Sequence, residues 1–153
     1  MGTPLLAIRM ADSGDLPGIL DLFQHLHADD DRPSRGSAEQ ALAGLQALPG
    51  SGVLIGSNEE GIRSSCTLVV IPNLTRGGRP YALIENVVTH AAARGRGYGK
   101  AVLAAAIERA WNQDCYKVML LTGSQDAATL GFYRAAGFEQ TKTGFQVRSK
   151  KVT

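Results

Sequence analysis

The chain has 153 residues, 44% of them hydrophobic, which is the usual size and composition of one domain with an ordinary core. Lysine and arginine together exceed aspartate and glutamate by only two residues, so the electrostatic field is weak and we expect no nucleic-acid partner. Cys66 and Cys115 lie far apart without the spacing of metal ligands, which predicts buried free thiols and no metal site. We expect a single domain over residues 1–153.

The N-terminus lacks the basic and apolar regions of a secretion signal, and Leu6 stands where a myristoylation signal has Ser or Thr. No apolar run approaches the roughly 20 residues that span a bilayer. These absences predict a cytoplasmic protein with no membrane partner.

The first half of the chain carries two helix patterns and three strand patterns. The predicted elements are a strand at 4–10, a helix capped by Asp12 or Ser13, a helix from Ser37 to Leu48, and hairpin strands at 53–55 and 66–71. Segments 29–36 and 73–80 are rich in polar residues, Gly and Pro, and predict loops. Their arginines, Arg32, Arg35, Arg76 and Arg79, either hold an acidic substrate or are simply solvated.

The second half alternates strands and helices. The predicted elements are a strand at 81–89, a helix with an apolar face from Val102 to Trp111, a central buried strand at 117–122, a helix at 126–136 and a final strand or hairpin at 138–148. This mixture of hairpins and crossovers predicts an α/β or α+β domain of three layers around a mixed sheet. The three histidines, His25, His27 and His90, show no partner pattern and receive no role.

A glycine-rich turn, Arg94-Gly95-Arg96-Gly97-Tyr98-Gly99-Lys100, lies between a predicted strand and a predicted helix. Free backbone N–H groups and the positive end of a helix dipole bind phosphate at such a position. Glycines let the backbone approach the ligand, and the three basic side chains add charge-assisted contacts. The turn predicts an anion site, although the glycines are also compatible with a purely structural tight turn.

Two nucleotide-binding motifs do not fit this turn. A Walker A loop needs GxxxxGK followed by Ser or Thr, whereas Ala101 follows Lys100 here. A dinucleotide fingerprint needs G-x-G-x-x-G early in a βαβ unit, whereas this turn reads G-x-G-x-G and comes late in the chain. A nucleotide hydrolase and a dinucleotide-dependent enzyme are therefore disfavoured.

The segment Arg94–Gly99 resembles the R/Q-G-x-G-x-G/A pyrophosphate loop of the GCN5-related N-acetyltransferases (GNAT). A second segment, Phe132–Phe138, is similar to the F-Y-x-x-x-G-F segment of that family and follows in the expected order. The resemblance implies a three-layer α/β/α domain with a mostly antiparallel central sheet. It also implies transfer of an acetyl group from acetyl-coenzyme A to a primary amine of a small molecule or peptide, by a homodimer without a metal.

The strand Ile84–Val88 resembles the I-E-D-V-V strand of the glucosamine-6-phosphate acetyltransferases in that family, with Asn86 at the second acidic position. The family's pantetheine arm pairs with this strand, which implies backbone contacts from Val87, Val88 and Thr89. Period-two alternation places Glu85 beside Leu83 and Val87, so its pKa should be raised and it becomes a candidate general base. A carboxylate hydrogen-bonded within the sheet is the alternative interpretation.

An amine must lose a proton before it attacks a thioester, and the departing sulfur must gain one. By the resemblance, Tyr133 is the acid that protonates this sulfur, whereas a helical Tyr elsewhere usually packs in a core or interface. Glu85 or a water relay is then the base. Two other interpretations stay open: a catalytically inactive coenzyme A-binding sensor or regulator, and a phosphate-binding structural module unrelated to acyl transfer.

Overall fold

The computed structural model describes residues 6–150, so the beginning of the strand predicted at 4–10 lies outside the described residues. The chain forms two compact units that divide between Leu120 and Leu121. The first unit contains strands β1 (Ala7–Met10), β2 (Gly52–Asn58), β3 (Gly61–Ile71), β4 (Tyr81–Thr89) and β5 (Val118–Leu120), and helices α1 (Leu16–Phe23), α2 (Arg35–Gln46) and α3 (Tyr98–Asn112). The second unit contains helix α4 (Ala127–Ala135).

The first unit is built on one mixed sheet in the order β1-β2-β3-β4-β5. Neighbouring strands are antiparallel except for β4 and β5, which are parallel. The hairpin between β2 and β3 turns between the paired residues Asn58 and Gly61, and Gly61 has a φ of +110° that a residue with a Cβ rarely adopts. The predicted mixed, mostly antiparallel sheet is confirmed.

Helices cover both faces of this sheet. Val53 and Ile55 of β2 point to one face, where they pack in a buried cluster with residues of α1 and α2 such as Ile19 and Leu42. Gly56 points to the other face, where a Cβ would lie 3.0 Å from a methyl group of Val102 in α3. Because adjacent strand residues point to opposite faces, α1 and α2 form one layer and α3 the other. The predicted three layers are confirmed in this unit.

The entry into α1 is fixed by polar contacts rather than by apolar periodicity alone. Asp12 and Asp15 cap the short 3₁₀ turn Ser13–Asp15 reciprocally. The Asp12 carboxylate accepts the Gly14 N–H, and the Asp15 carboxylate accepts the Asp12 N–H. Arg9 of β1 donates two hydrogen bonds of 2.7 Å to the Asp15 carboxylate. Strand β1 is thereby tied to the start of the first helix. The predicted cap is found at Asp12, on the 3₁₀ turn that leads into α1.

Three details of the sequence-based prediction are wrong. The second helix begins at Arg35 rather than Ser37, because Ser34 is its N-cap and accepts the Ser37 N–H. Trp111 is 51% exposed, since the buried face of α3 narrows towards its last turn. The strand predicted to be central, β5, has three residues and lies at the edge of the sheet.

The strand predicted over 138–148 is also wrong. Phe145 and Val147 alternate with polar residues as in a strand, but no strand of residues 6–150 pairs with them, and they are 91% and 97% exposed. A period-two pattern supplies strand preference, whereas a strand also needs a partner for its ladder. Residues 138–148 therefore form no regular strand or hairpin.

Candidate active site

Strand β4 contains a β-bulge in its middle. Thr67 pairs with Glu85 and Ser65 pairs with Val88, so that two residues of β4 oppose the single residue Cys66 of β3. The first of the two, Asn86, has a φ of +52°. Asn adopts this left-handed conformation more readily than most residues, which is why the bulge can form without Gly.

The bulge takes the backbone of Asn86 and Val87 out of the regular ladder with β3. Sheets commonly use such bulges next to functional sites, because an unpaired segment can bond a ligand instead of a neighbouring strand. The sequence interpretation missed this feature. Its signal is an Asn within a β-branched run, since Asn is depleted in regular strands.

Glu85 precedes the bulge and is exposed. The apolar surroundings expected from alternation with Val87 are not found, because the bulge shifts the alternation. Cross-strand partners share a face, so Val88 rather than Val87 lies on the face of Glu85. The carboxylate is accessible to water and to a substrate, which suits a base that acts through water.

The three residues assigned to pantetheine contacts differ in their surroundings. Val88 is buried, and its carbonyl accepts a 3.1 Å hydrogen bond from the Ser64 hydroxyl. The same hydroxyl lies 3.0 Å from the hydroxyl of Thr89, which is half-buried like Val87. Beyond the bulge, the end of β4 is thus held to β3 both by the resumed strand pairing and by the Ser64 hydroxyl.

The glycine turn begins α3 as predicted. Gly95 and Gly97 both have a φ of +80°, and a Cβ at either position would meet no heavy atom within 4 Å. Glycine is required here for backbone conformation and open access rather than for packing. The first helical hydrogen bond runs from the Ala101 N–H to the Gly97 carbonyl, so the N–H groups of Tyr98, Gly99 and Lys100 precede it. N–H groups at such a position can bind a phosphate.

The basic side chains of the turn divide into two kinds. Arg94 donates hydrogen bonds of 3.4 Å to the carbonyls of Thr89 and His25. These bonds hold the turn against β4 and against the residues that follow α1. Arg96 and Lys100 are exposed and form no ion pair with any of residues 6–150. These two cations are available to an anionic ligand.

Tyr98 occupies the first position of α3 and is only 3% exposed. Its hydroxyl is buried and finds no hydrogen-bond partner within the part of the chain that the structure describes. The side chain therefore anchors the turn in the core. Tyr98, like the glycines of the turn, can therefore offer an anion only its backbone N–H.

Tyr133 lies in the second unit, where the predicted motif forms the end of α4. Gly137 has a φ of +99°, its N–H donates to the Arg134 carbonyl, and the Phe138 N–H donates to the Tyr133 carbonyl. These two bonds make a Schellman motif, and the rings of Phe138 and Tyr133 pack edge to face at 6.3 Å, as the motif's apolar contact requires. The F-Y-x-x-x-G-F spacing thus has a direct structural reason, and the half-buried Tyr133 ring is held in a defined position.

The loop arginines proposed for an acidic substrate have partners within the first unit. Arg32 pairs with Asp21, and Arg35 pairs with Glu39. Arg79 donates to the Asp114 carbonyl at 3.4 Å, and the Arg76 guanidinium lies 5.6 Å from the ring centre of Tyr116. These contacts favour the interpretation that the arginines are solvated structural residues.

Residues 6–150 contain neither a cluster of metal ligands nor a membrane-spanning helix. No group of three or more His, Cys, Asp or Glu side chains in this part of the chain is placed to hold a metal ion. None of the helices in the same range has both the length and the apolar character needed to cross a bilayer.

Comparison with known proteins gives consistent relatives. Residues 20–138 match the model of the acetyltransferase (GNAT) family. A solved structure described as a putative acetyltransferase from Agrobacterium tumefaciens str. C58 is 48% identical, the match covers 94% of this chain and 99% of that one, and the two superpose with a TM-score of 0.87. A glucosamine 6-phosphate N-acetyltransferase from Trypanosoma brucei brucei is 32% identical over 87% of this chain and 88% of its own.

A third relative acts on a different kind of amine. The L-methionine sulfoximine/L-methionine sulfone acetyltransferase of Pseudomonas paraeruginosa is 29% identical over 87% of this chain and 80% of its own. The family match covers most of the chain and includes both the glycine turn and the end of α4. The chain belongs to the acetyltransferase (GNAT) family and is an N-acetyltransferase whose family cosubstrate is acetyl-coenzyme A.

Proposed function

We propose that this chain transfers an acetyl group from acetyl-coenzyme A directly to a primary amine of a small molecule or peptide. The observation that carries the proposal is the turn before α3, where Gly95 and Gly97 adopt left-handed conformations and leave open space for a ligand. The unpaired cations Arg96 and Lys100 flank this turn. A diphosphate group fits these features because it can accept the free N–H groups and neutralise both cations.

In this proposal the turn Arg94–Lys100 holds the pyrophosphate of the cosubstrate, with Gly95, Gly97, Gly99 and Tyr98 contributing backbone N–H groups. Arg94 holds the turn in place through its bonds to protein carbonyls. The backbone of Val87, Val88 and Thr89 bonds the pantetheine arm, and the bulge at Asn86 supports this role because it leaves part of β4 without a strand partner. The thioester would then lie near the bulge.

Glu85 removes the proton from the acceptor amine, directly or through one water molecule, which its exposure permits. The amine nitrogen then forms a bond to the acetyl carbon as the carbon–sulfur bond breaks. Tyr133 donates its phenolic proton to the departing sulfur and recovers a proton from solvent. No covalent enzyme intermediate and no metal are part of this sequence of steps.

The relatives indicate which acceptors to screen first. One is named for glucosamine 6-phosphate and another for methionine sulfoximine and sulfone, and all of these small molecules carry both a primary amine and an anionic group. We propose the same class of acceptor for this chain. Amino-sugar phosphates and amino acids are therefore the first compounds to test, followed by peptides.

The test is release of coenzyme A thiol from acetyl-coenzyme A in the presence of each amine, with Tyr133→Phe as the matched variant. The substitution removes one hydroxyl and keeps the ring that packs on Phe138. We expect a turnover number at least about tenfold lower in the variant, with little change in coenzyme A affinity, because loss of a general acid costs roughly two orders of magnitude or more. No amine-dependent thiol release by the wild type above that of the variant would refute the catalytic assignment.

The alternative function is a coenzyme A-binding regulator without catalysis. Tight binding of acetyl-coenzyme A with no turnover on any amine of the panel would favour it. The curated relatives described above carry enzyme names, so catalysis remains the first proposal.

We also propose that the chain forms a homodimer. Phe145 and Val147 support this, because two large apolar side chains spaced as in a strand are almost fully exposed in the isolated chain. Light scattering after gel filtration should give twice the monomer mass. Phe145→Glu should shift that mass towards the monomer, whereas the same change at the fully exposed Leu74 should leave it unaltered.

A further inference from the structure

Two histidines meet where β4 ends and the glycine turn begins. His90 directly follows β4, and His25 lies just beyond the end of α1. Their ring centres are 4.0 Å apart with an interplanar angle of 40°. The 3₁₀ turn Ala91–Ala93 separates His90 from Arg94 and leads the chain into the proposed pyrophosphate site.

Both rings act as hydrogen-bond acceptors for this short turn. Nδ1 of His90 accepts the Ala92 N–H at 3.1 Å, and Nδ1 of His25 accepts the Ala91 N–H at 3.5 Å. A ring nitrogen can accept only when it carries no proton, so the bond from the Ala92 N–H requires a neutral His90 imidazole with its proton on Nε2. The shorter bond, made by His90, is the stronger of the two.

The surroundings of His90 favour its neutral form. Burial lowers the pKa of His90 first, and the nearby Arg63, His25 and Arg94 lower it further, while Glu60 alone acts in the opposite direction. The backbone N–H of His90 donates to the backbone carbonyl of Arg63 at 2.8 Å. A proton on His90 would therefore remove the cap of the turn and place a cation among cations.

We propose that neutral His90, packed against His25, is a positioning residue for the anion-binding turn, and that its protonation weakens coenzyme A binding. The inference rests on the proposed function, namely that the turn binds coenzyme A. The link to the site is short: the capped turn fixes Arg94, whose guanidinium bonds the carbonyls of Thr89 and His25. Without the cap, the direction in which Gly95 and Gly97 present their N–H groups is no longer fixed.

The test is titration calorimetry of coenzyme A from about pH 5.5 to 8, since an ordinary histidine titrates near the middle of that range. His90→Asn keeps an acceptor for an N–H two residues ahead but does not titrate, and His90→Ala removes the acceptor. His27→Asn is the matched control, because His27 is exposed and makes no side-chain hydrogen bond within residues 6–150.

Wild type and His27→Asn should lose affinity more steeply than His90→Asn as the pH falls. His90→Ala should bind roughly fivefold more weakly than wild type even at the upper end of the range, which is the usual effect of losing one cap. The titrations are repeated with dephospho-coenzyme A, because the 3′-phosphate of coenzyme A also titrates near the lower end. The difference between wild type and His90→Asn should persist with that ligand.

Superimposable pH profiles of wild type and His90→Asn would overturn the inference while leaving the proposed function intact. No binding of coenzyme A by the wild type at any pH would instead overturn the proposed function. Nitrogen-detected NMR provides a second readout that does not depend on ligand. The chain has only three histidines, whose ring signals are few to assign. The His90 signals should show an unprotonated Nδ1 at neutral pH, and a protonated Nδ1 at that pH would also refute the inference.

Discussion

Replacing Gly97 with Ala tests whether the glycine turn has the left-handed backbone on which the anion site depends. The residue has a φ of +80°, and a Cβ built on it meets nothing within 4 Å. Steric contact therefore contributes nothing to the cost, and the backbone conformation contributes all of it. An L-residue with a Cβ in this region costs about 1 to 2 kcal/mol, so the free energy of unfolding should fall by that amount.

The same atomic change at Gly44 is the matched control. Gly44 lies in the interior of α2, is exposed, and also has no heavy atom within 4 Å of a built Cβ. Ala is the better helix former by roughly 0.8 to 1 kcal/mol, so Gly44→Ala should raise the free energy of unfolding. One methyl group thus has opposite effects at the two sites, for reasons of backbone conformation alone.

Urea denaturation at neutral pH measures both variants against the wild type, with unchanged slopes as the condition for comparing midpoints. The two variants should differ by about 2 to 3 kcal/mol, the sum of the two effects. If Gly97→Ala proves as stable as the wild type, the turn does not hold the left-handed conformation and the argument for the anion site loses its basis.

Two further predictions concern ionisable groups. The pKa of Asp15 is lowered chiefly by its hydrogen bonds from Arg9, so the ionised carboxylate stabilises the fold above about pH 3.8 and this stabilisation is lost as the pH falls through the lower folded value. In urea denaturation, the difference in unfolding free energy between wild type and Asp15→Asn should shrink as the pH approaches 3. A constant difference would contradict this cause. Burial raises the pKa of Cys66 to about 12, and that of Cys115 is also raised. The folded protein should therefore give no rapid reaction with dithiobis-nitrobenzoate at about pH 8, and prompt labelling of one thiol per chain would show that a cysteine is accessible.

Local sequence signals predicted the elements that position the turn. Strand β4 and helix α3 were expected where they are found, because a β-branched run, glycines and an amphipathic stretch follow one another. The end of α4 was expected at Gly137, and the structure adds the reason, a Schellman motif that needs Tyr133 and Phe138 at their positions. Signals of this kind depend on neighbours in the chain, so a sequence read alone contains them.

Features that depend on distant residues were not predicted. The bulge at Asn86 exists only through the register of β4 on β3, and because of it Val88 rather than Val87 shares the face of Glu85. The edge position of β5 depends on the lack of a strand partner beyond it within residues 6–150. His25 and His90 come together because the ends of α1 and β4 meet, and no spacing in the sequence indicates this contact.

The central claim is that the turn before α3 binds the pyrophosphate of acetyl-coenzyme A. Titration calorimetry of acetyl-coenzyme A into wild type, Gly97→Ala and Gly97→Glu tests it most directly. Both variants strain the backbone equally, but only Glu adds an anion where the ligand's charge should lie. We predict micromolar binding by the wild type, weaker binding by Gly97→Ala and none detectable by Gly97→Glu, whereas equal binding by all three proteins would contradict the claim.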